Sequence, residues 1–363
     1  MLPLPGKDQQ VSPYIAFYIV IMMQVGIAIL SFERHLVKDA GHDMWVSVLI
    51  GGVSIHLFVW IMYQVLNKGN NDIAGIHRQL FGKWVGGLLS LLLIAYIFSF
   101  FLVTIHAYIE VIQIWMFPQL QTWYLAIVLA AVTYLYLTGG FRVVAGLCVI
   151  SFFLTIPLLS LKVFPLNEGS ISHLFPMLDH SFMELSAAAK KVILSYSGFE
   201  ILLFCYPFFK DAPSSHKWAQ WGVFGTTVIY LITVFVSVMY FTEEHLFKVI
   251  WPTLTMWKIV DLPFMERLEY AGIALWVFTI LPKLCLSLWA VTRGLKQMFS
   301  IQQKKSFKFL LALAVFLSIL LGENEQTDSF LKELNKAGLY VIYAYLPFLY
   351  VYQLIYSKWR ERS

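Results

Sequence analysis

Apolar stretches of about twenty residues, separated by short polar turns, recur along the whole chain. An α-helix rises about 1.5 Å per residue, so roughly twenty apolar residues cross the ~30 Å hydrocarbon core of a bilayer. By that measure spans are predicted at about 12–32, 44–66, 84–114, 122–138, 143–163, 187–209, 220–241, 269–291, 307–321 and 337–356, ten in all. The third is long enough to tilt or to extend beyond the bilayer. Tryptophans fall near predicted ends, at Trp45, Trp84, Trp115, Trp123, Trp218, Trp221, Trp289 and Trp359, as interfacial anchors do. The expected class is therefore an all-α integral membrane protein. Residues 1–363 read as one transmembrane domain, because no polar stretch is long enough to fold by itself.

The polar residues that interrupt this pattern carry the functional information. Ser195-Tyr196-Ser197-Gly198-Phe199-Glu200 lies inside the sixth apolar segment. Burying a charge at that depth costs at least a few kcal/mol, so an intramembrane glutamate marks a functional point. Gly198 loosens the helix, and the serine hydroxyls serve backbone groups that an unwound turn sets free. The first span carries a matching interruption, Gln24-Val25-Gly26-Ile27-Ala28. Interrupted segments at corresponding places in two halves, about 12–163 and 187–356, point to a binding site between inverted repeats. The candidate ligand-binding residues are Gln24, Gly26, Ile27, Ala28, Tyr96, Ser195, Ser197, Gly198 and Phe199. Exposed helix ends at the two breaks would offer N–H groups and a positive dipole to a carboxylate.

Two charges at similar depth are candidate coupling groups. Glu200 reads either as a structural carboxylate or as a group whose charge or proton state follows ligand occupancy. Lys283 follows Pro282 inside the eighth span. A buried lysine without a partner loses its proton. It either pairs with Glu200 or snorkels to the inner headgroups. His106 and Glu110 share a face of the third span at i, i+4 spacing; they either line an outer vestibule or cap a long helix. Ser99 lies nearer mid-depth, beside Tyr96. His56 reads as a hydrogen-bonded scaffold residue.

Composition narrows the class further. The chain is 59% hydrophobic and 13% charged, against about 25% charged in soluble domains. No HExxH, GxSxG, phosphate-binding GxxxxGK[ST] or GxGxxG occurs, so neither an enzyme nor a cofactor is expected. Cys148, Cys205 and Cys285 sit in apolar spans without metal spacing and read as packing residues. The N-terminus lacks the charged-then-apolar pattern of a cleaved signal, so the first span should direct insertion. With both termini cytoplasmic, the inner segments hold fifteen Lys and Arg against ten outside, which satisfies the positive-inside rule. Two outer segments exceed simple turns. One, 165–185, carries Glu168, His173, Asp179 and His180; the other, 242–269, mixes Trp251, Pro252 and paired charges and suits a short helix on the interface.

Four motifs resemble a known family: Ile250-Trp251-Pro252-Thr253, Glu266-Arg267-Leu268-Glu269, Ser195-x-x-Gly198-x-Glu200 and Gly294-Leu295-Lys296 after the eighth span. Together they resemble the B subunits of spore germinant receptors, a spore germination permease family within the amino acid/polyamine/organocation transporters. The resemblance implies a LeuT-type 5+5 inverted repeat with broken helices 1 and 6 around a small-ligand pocket. It implies sensing of a nutrient germinant, typically an amino acid, in the inner membrane of a spore. Partners would be an A subunit and a lipoprotein C subunit; an amino acid permease is the alternative. Two positions depart from the family pattern, Ala28 where a second glycine is frequent and Lys283 where relatives often hold a small polar residue. In sodium-coupled LeuT-type proteins a cation lies between spans 1 and 8, so the resemblance casts Lys283 as a tethered cation in that place.

Overall fold

A computed structural model describes residues 5–260, 267–321, 333 and 336–362. Each of the ten apolar segments is helical. Among the described residues, six helical runs are long and apolar enough to cross a membrane unaided: Phe32–Gly69, which turns at Gly41 so that Phe32–Ala40 belongs to the first span, Ile73–Trp115, Gly140–Glu168, Ser215–Tyr240, Leu268–Phe299 and Lys336–Trp359. Phe182–Ser195 and Phe199–Phe208 add a seventh as a pair bent by 45°. Ile15–Gln24, Thr122–Thr138 and Gln303–Leu321 are shorter apolar helices. The protein is an integral membrane protein.

The first span is longer than its hydropathy indicates. Ile15–Gln24 ends at extended Val25 and Gly26, the chain resumes as a tight turn over Ile27–Leu30, and Phe32–Ala40 completes the crossing. That last helix carries Glu33, Arg34, His35, Lys38 and Asp39, so charge hides it from an apolar window. The third helix likewise starts at Ile73. It kinks at Gly82, whose φ of 76° favours a residue without Cβ. The eighth reaches Phe299, so Gly294-Leu295-Lys296 lies within it and not beyond it.

End signals follow ordinary capping chemistry. Ser181 and Glu184 close a capping box at the start of the sixth span, and Asp72 caps the third by accepting from the Gly75 amide. Packing places spans 1 and 6 at the centre. The first span rests on the fifth and seventh, and the eighth packs along the third, fifth and first. The second covers the sixth and seventh, while the ninth and tenth lie outside against the fourth and second.

Two expectations about the surface need correction. Trp289 is no interfacial anchor; it is 3% exposed, wedged between Phe141 and Phe208. Trp84, just past the Gly82 kink, and Trp359, near the end of the last helix, by contrast stand exposed. The outer segment after the seventh span is two short helices, Glu243–Lys248 and Pro252–Trp257. The second plugs into the protein and does not lie on the interface: Thr253, Leu254, Met256 and Trp257 are buried, and Trp257 meets Trp276 edge-on. Arg267 pairs with Glu269 at 3.1 Å and covers the Tyr270 ring. Phe264, Met265 and Glu266 lie outside the described residues.

Candidate functional site

Breaking a helix strands its carbonyls, and inside a bilayer those acceptors need protein partners. Both breaks here are stitched together by that need. The Gln24 side-chain amide donates to the Tyr196 carbonyl at 2.9 Å, from the first span to the sixth. The Tyr230 hydroxyl of the seventh span lies 3.0 Å from the Gln24 carbonyl and 2.8 Å from that of Ser195. One proton thus serves the loose ends of both half-helices. The Tyr196 hydroxyl reaches Thr227 at 3.1 Å and so fixes the sixth span to the seventh.

Gly198 is the pivot. Its φ is 125°, in the region that favours glycine, and a Cβ there would stand 2.7 Å from the Met23 carbonyl oxygen. Backbone meets backbone at this point, which no larger residue permits.

Glu200 is wholly buried and uses the same break. Its Oε2 accepts from the Gly198 amide at 2.6 Å and its Oε1 accepts from the Tyr96 hydroxyl at 3.1 Å. The carboxylate therefore occupies the positive N-terminal end of the inner half-helix, where an anion is stabilised. Lys283 is close enough to attract this charge, but it makes no ion-pair contact with it among the described residues. Its ammonium instead lies over the Phe100 ring at 5.8 Å and 3.4 Å from where a Cβ on Gly26 would stand. It is half-buried and faces the break of the first span rather than the headgroups.

The structure thus brings together Gln24, Gly26, Tyr96, Ser195, Gly198, Glu200 and Lys283 around the two breaks. Ile27, Ser197 and Phe199 are buried in the break segments, and Ala28 is half-buried. Gln24 Oε1 is buried without a hydrogen-bond partner among the described residues, and Ser197 Oγ, also buried, has the Tyr96 hydroxyl nearby but no hydrogen bond of ordinary geometry. Buried polar atoms are ordinarily satisfied, so such atoms in the two break segments call for an explanation. Sequence reasoning missed Tyr230, which reads as one more tyrosine in an apolar helix. His56 bonds Gln220 across spans 2 and 7, away from the breaks. His106 and Glu110 are half-buried on the third helix.

Polar contacts flank the breaks on both sides. Towards the 242–269 segment, Thr253 of the plugging helix receives the Lys162 ammonium at 3.1 Å and faces Glu33 Oε1 at 3.2 Å, with Ser237 donating to the same oxygen at 3.1 Å. Towards the opposite face, Arg293 of the eighth span lies 3.5 Å from Asp72, which also accepts from Gln297 at 2.7 Å. Val11 pairs with the end of the sixth span as a short backbone bridge. Two broken helices facing each other, with buried side chains between two sets of polar contacts, are the arrangement of a discontinuous-helix fold.

Comparison with solved structures gives the same class. The chain superposes on a Na+-coupled sialic acid symporter with a TM-score of 0.66 at 12% identity, over 93% of this chain and 80% of that one. It superposes on MhsT, solved with L-phenylalanine, with a TM-score of 0.66 at 14% identity, over 96% and 89%. The fold is the LeuT type, with its first and sixth helices broken. Within that class, the family described as "Spore germination protein" matches residues 10–327, and the chain belongs to it. It is 39% identical to the spore germination protein GerQB of Bacillus cereus over 98% of both chains. It is 24% identical to YndE of Bacillus subtilis (strain 168) over 96% of both, and 21% identical to that organism's spore germination protein A2 over 82% and 83%.

Proposed function

We propose that this chain is the nutrient-sensing subunit of a spore germinant receptor. It binds a small ligand, an amino acid in this reading, between the breaks of spans 1 and 6. The observation that carries the proposal is the orphaned buried Gln24 Oε1 beside two opposed helix breaks. An ammonium or hydroxyl on a ligand between the breaks would satisfy Gln24 Oε1. Glu200 fills the helix end of the sixth span with its own carboxylate. A ligand carboxylate is therefore assigned to the break at Gly26, Ile27 and Ala28, next to Lys283.

In this reading occupancy shifts the balance between the latched state and an open one, and the shift passes to an A subunit and a lipoprotein C subunit. The setting is the inner membrane of the spore, with both termini cytoplasmic. A second reading, an amino acid permease working by alternating access, draws on the transporter likeness of the fold.

Deletion of the gene, followed by germination on amino acids, sugars and nucleosides, tests the proposal. Loss of the response to one nutrient class is expected, restored by the parent gene and not by Gln24→Leu. Deleted spores that germinate like the parent on every compound would overturn it. Uptake of that nutrient by vesicles holding this chain alone would favour the permease.

A further inference from the structure

At the outer corner, three separate pieces of chain bring titratable side chains together. The turn between the first and second spans supplies His42 and Asp43. The segment leading into the sixth span supplies Asp179 and His180, and the first outer helix begins at Glu243. None of these residues takes part in the pocket or in either set of polar contacts that flanks it.

His42 is the informative member. It is 9% exposed, and Glu243 Oε1 accepts from both its backbone amide, at 2.8 Å, and its ring Nδ1, at 2.5 Å. In a neutral ring that donates Nδ1–H to Glu243, Nε2 is the atom that presents a lone pair towards Asp179. Nε2 is buried and has no hydrogen-bond partner among the described residues, although Asp179 Oδ1 lies only 3.1 Å away. No hydrogen bond of ordinary geometry joins the two atoms. Two acceptors held this close repel each other unless a positive charge stands between them.

The remaining members complete the cluster. His180 Nδ1 is 2.8 Å from Asp179 Oδ1 and 3.1 Å from Asp43 Oδ2. Asp43 is fully buried and anchored by the backbone amides of Leu178, Asp179 and His180 at 2.7, 3.0 and 3.3 Å. One ligand atom from each of His42, Asp43, Asp179 and His180 lies within 4.8 Å of all the others. Around a tetrahedral ion with bonds near 2.0–2.2 Å, ligand atoms stand about 3.3 Å apart. Small side-chain rotations bring this set to that spacing.

We propose that His42, Asp43, Asp179 and His180 form a site for one divalent transition-metal ion of the zinc type. Two imidazoles favour such an ion over calcium or magnesium, which take oxygen ligands. Two carboxylates balance its charge. Glu243 behind His42 is the carboxylate–histidine–metal relay that orients a ligating ring. Asp179 remains half-exposed, and a cavity of about 260 Å³ lined by His42, His173 and Glu243 opens beside the cluster. Bound there, the ion would staple the corner of spans 1 and 2 to the lead-in of span 6.

The test uses the purified full-length chain, stripped with a chelator and titrated with Zn2+ by calorimetry. One saturable site per chain is expected, and cobalt substituted for zinc should show the visible absorption of a tetrahedral site. His42→Ala and His180→Ala should each weaken zinc by at least a hundredfold. Glu243→Gln, acting through His42, should weaken it by roughly 10–100-fold, and exposed His245→Ala should leave it unchanged. If the cluster binds only protons, the stripped parent chain takes up no zinc and the proposal falls, whether or not the variants fold. Undiminished one-site binding by folded His42→Ala/His180→Ala would also overturn it.

Discussion

Glu33 and Glu200 are both fully buried glutamates near a lysine, yet the protein holds them in opposite ways. Glu33 reaches Lys162 through the Thr253 hydroxyl, a chain of hydrogen bonds that joins spans 1 and 5 to the outer plug, and Ser237 adds span 7. Lys162 faces the Glu33 charge through that hydroxyl, and Glu33 Oε2 is left without a hydrogen bond among the described residues. Glu200 is held by Tyr96 and by the amide of its own break, while Lys283 stands apart beside Gly26. The Glu33–Lys162 pair is bridged by one hydroxyl. The Glu200–Lys283 pair is split, one charge serving the backbone and the other turned to the place assigned to a ligand. Separating the charges distinguishes a candidate site from a strut.

The largest effect should come from breaking the strut. Lys162→Met leaves Glu33 buried without its cation, and removing one partner of a buried pair costs about 3–5 kcal/mol. Membrane abundance and thermal stability should fall steeply. Glu33→Gln/Lys162→Met should recover most of that loss, since a neutral amide still meets the Ser237 and Thr253 hydroxyls. A single variant as stable as the parent would show that Glu33 and Lys162 are not coupled.

Next comes Gly198→Ala. A methyl group 2.7 Å from the Met23 carbonyl must push the two broken helices apart, at a φ that penalises any side chain. The germination response should be lost while membrane-inserted protein remains detectable. A normal response at normal abundance would remove this pivot from the site.

These two regions were not equally legible in the sequence. The one around Glu200 was, because a charge and a glycine inside an apolar run violate the pattern that defines a span. Gln24 and Gly26 repeat that violation in the first span. The one around Glu33 was hidden by the same logic: Glu33 follows the apolar run and reads as the start of a loop. Only the fold shows that helix continuing to Ala40 and carrying Glu33 into the interior. Thr253 was noticed within a motif, but its placement needs the plugging helix. Tyr230 bridges two carbonyls that exist only because two helices break side by side, and no linear spacing encodes that.

A third prediction tests the split charges. If the Lys283 ammonium stands in for a separate cation between spans 1 and 8, ligand binding should not require sodium. Lys283→Met nearly preserves volume and removes the charge. It should leave the chain stably inserted and cut nutrient sensitivity at least tenfold, read as the concentration giving half-maximal germination. Strict sodium dependence in the parent, or Lys283→Met spores matching it, would reject the assignment.

The smallest effect belongs to Tyr96→Phe, which addresses how Glu200 is held. The variant removes one hydrogen bond to the carboxylate and keeps the ring, its edge-on contact with Phe100 and its volume. Hydrogen bonds to charged groups contribute about 1.5–3 kcal/mol. Glu200 keeps its 2.6 Å bond to Gly198, so the lower end of that range applies, roughly a tenfold change in an equilibrium. Tyr96 belongs to the third span and Glu200 to the sixth, so the bond also sets where the break sits against its neighbour. The variant should remain folded, and its half-maximal nutrient concentration should shift by no more than about tenfold. A complete loss of response at normal abundance would show that the tyrosine hydroxyl contacts the ligand itself. The Glu200 carboxylate would then belong with Lys283 among the groups turned toward it.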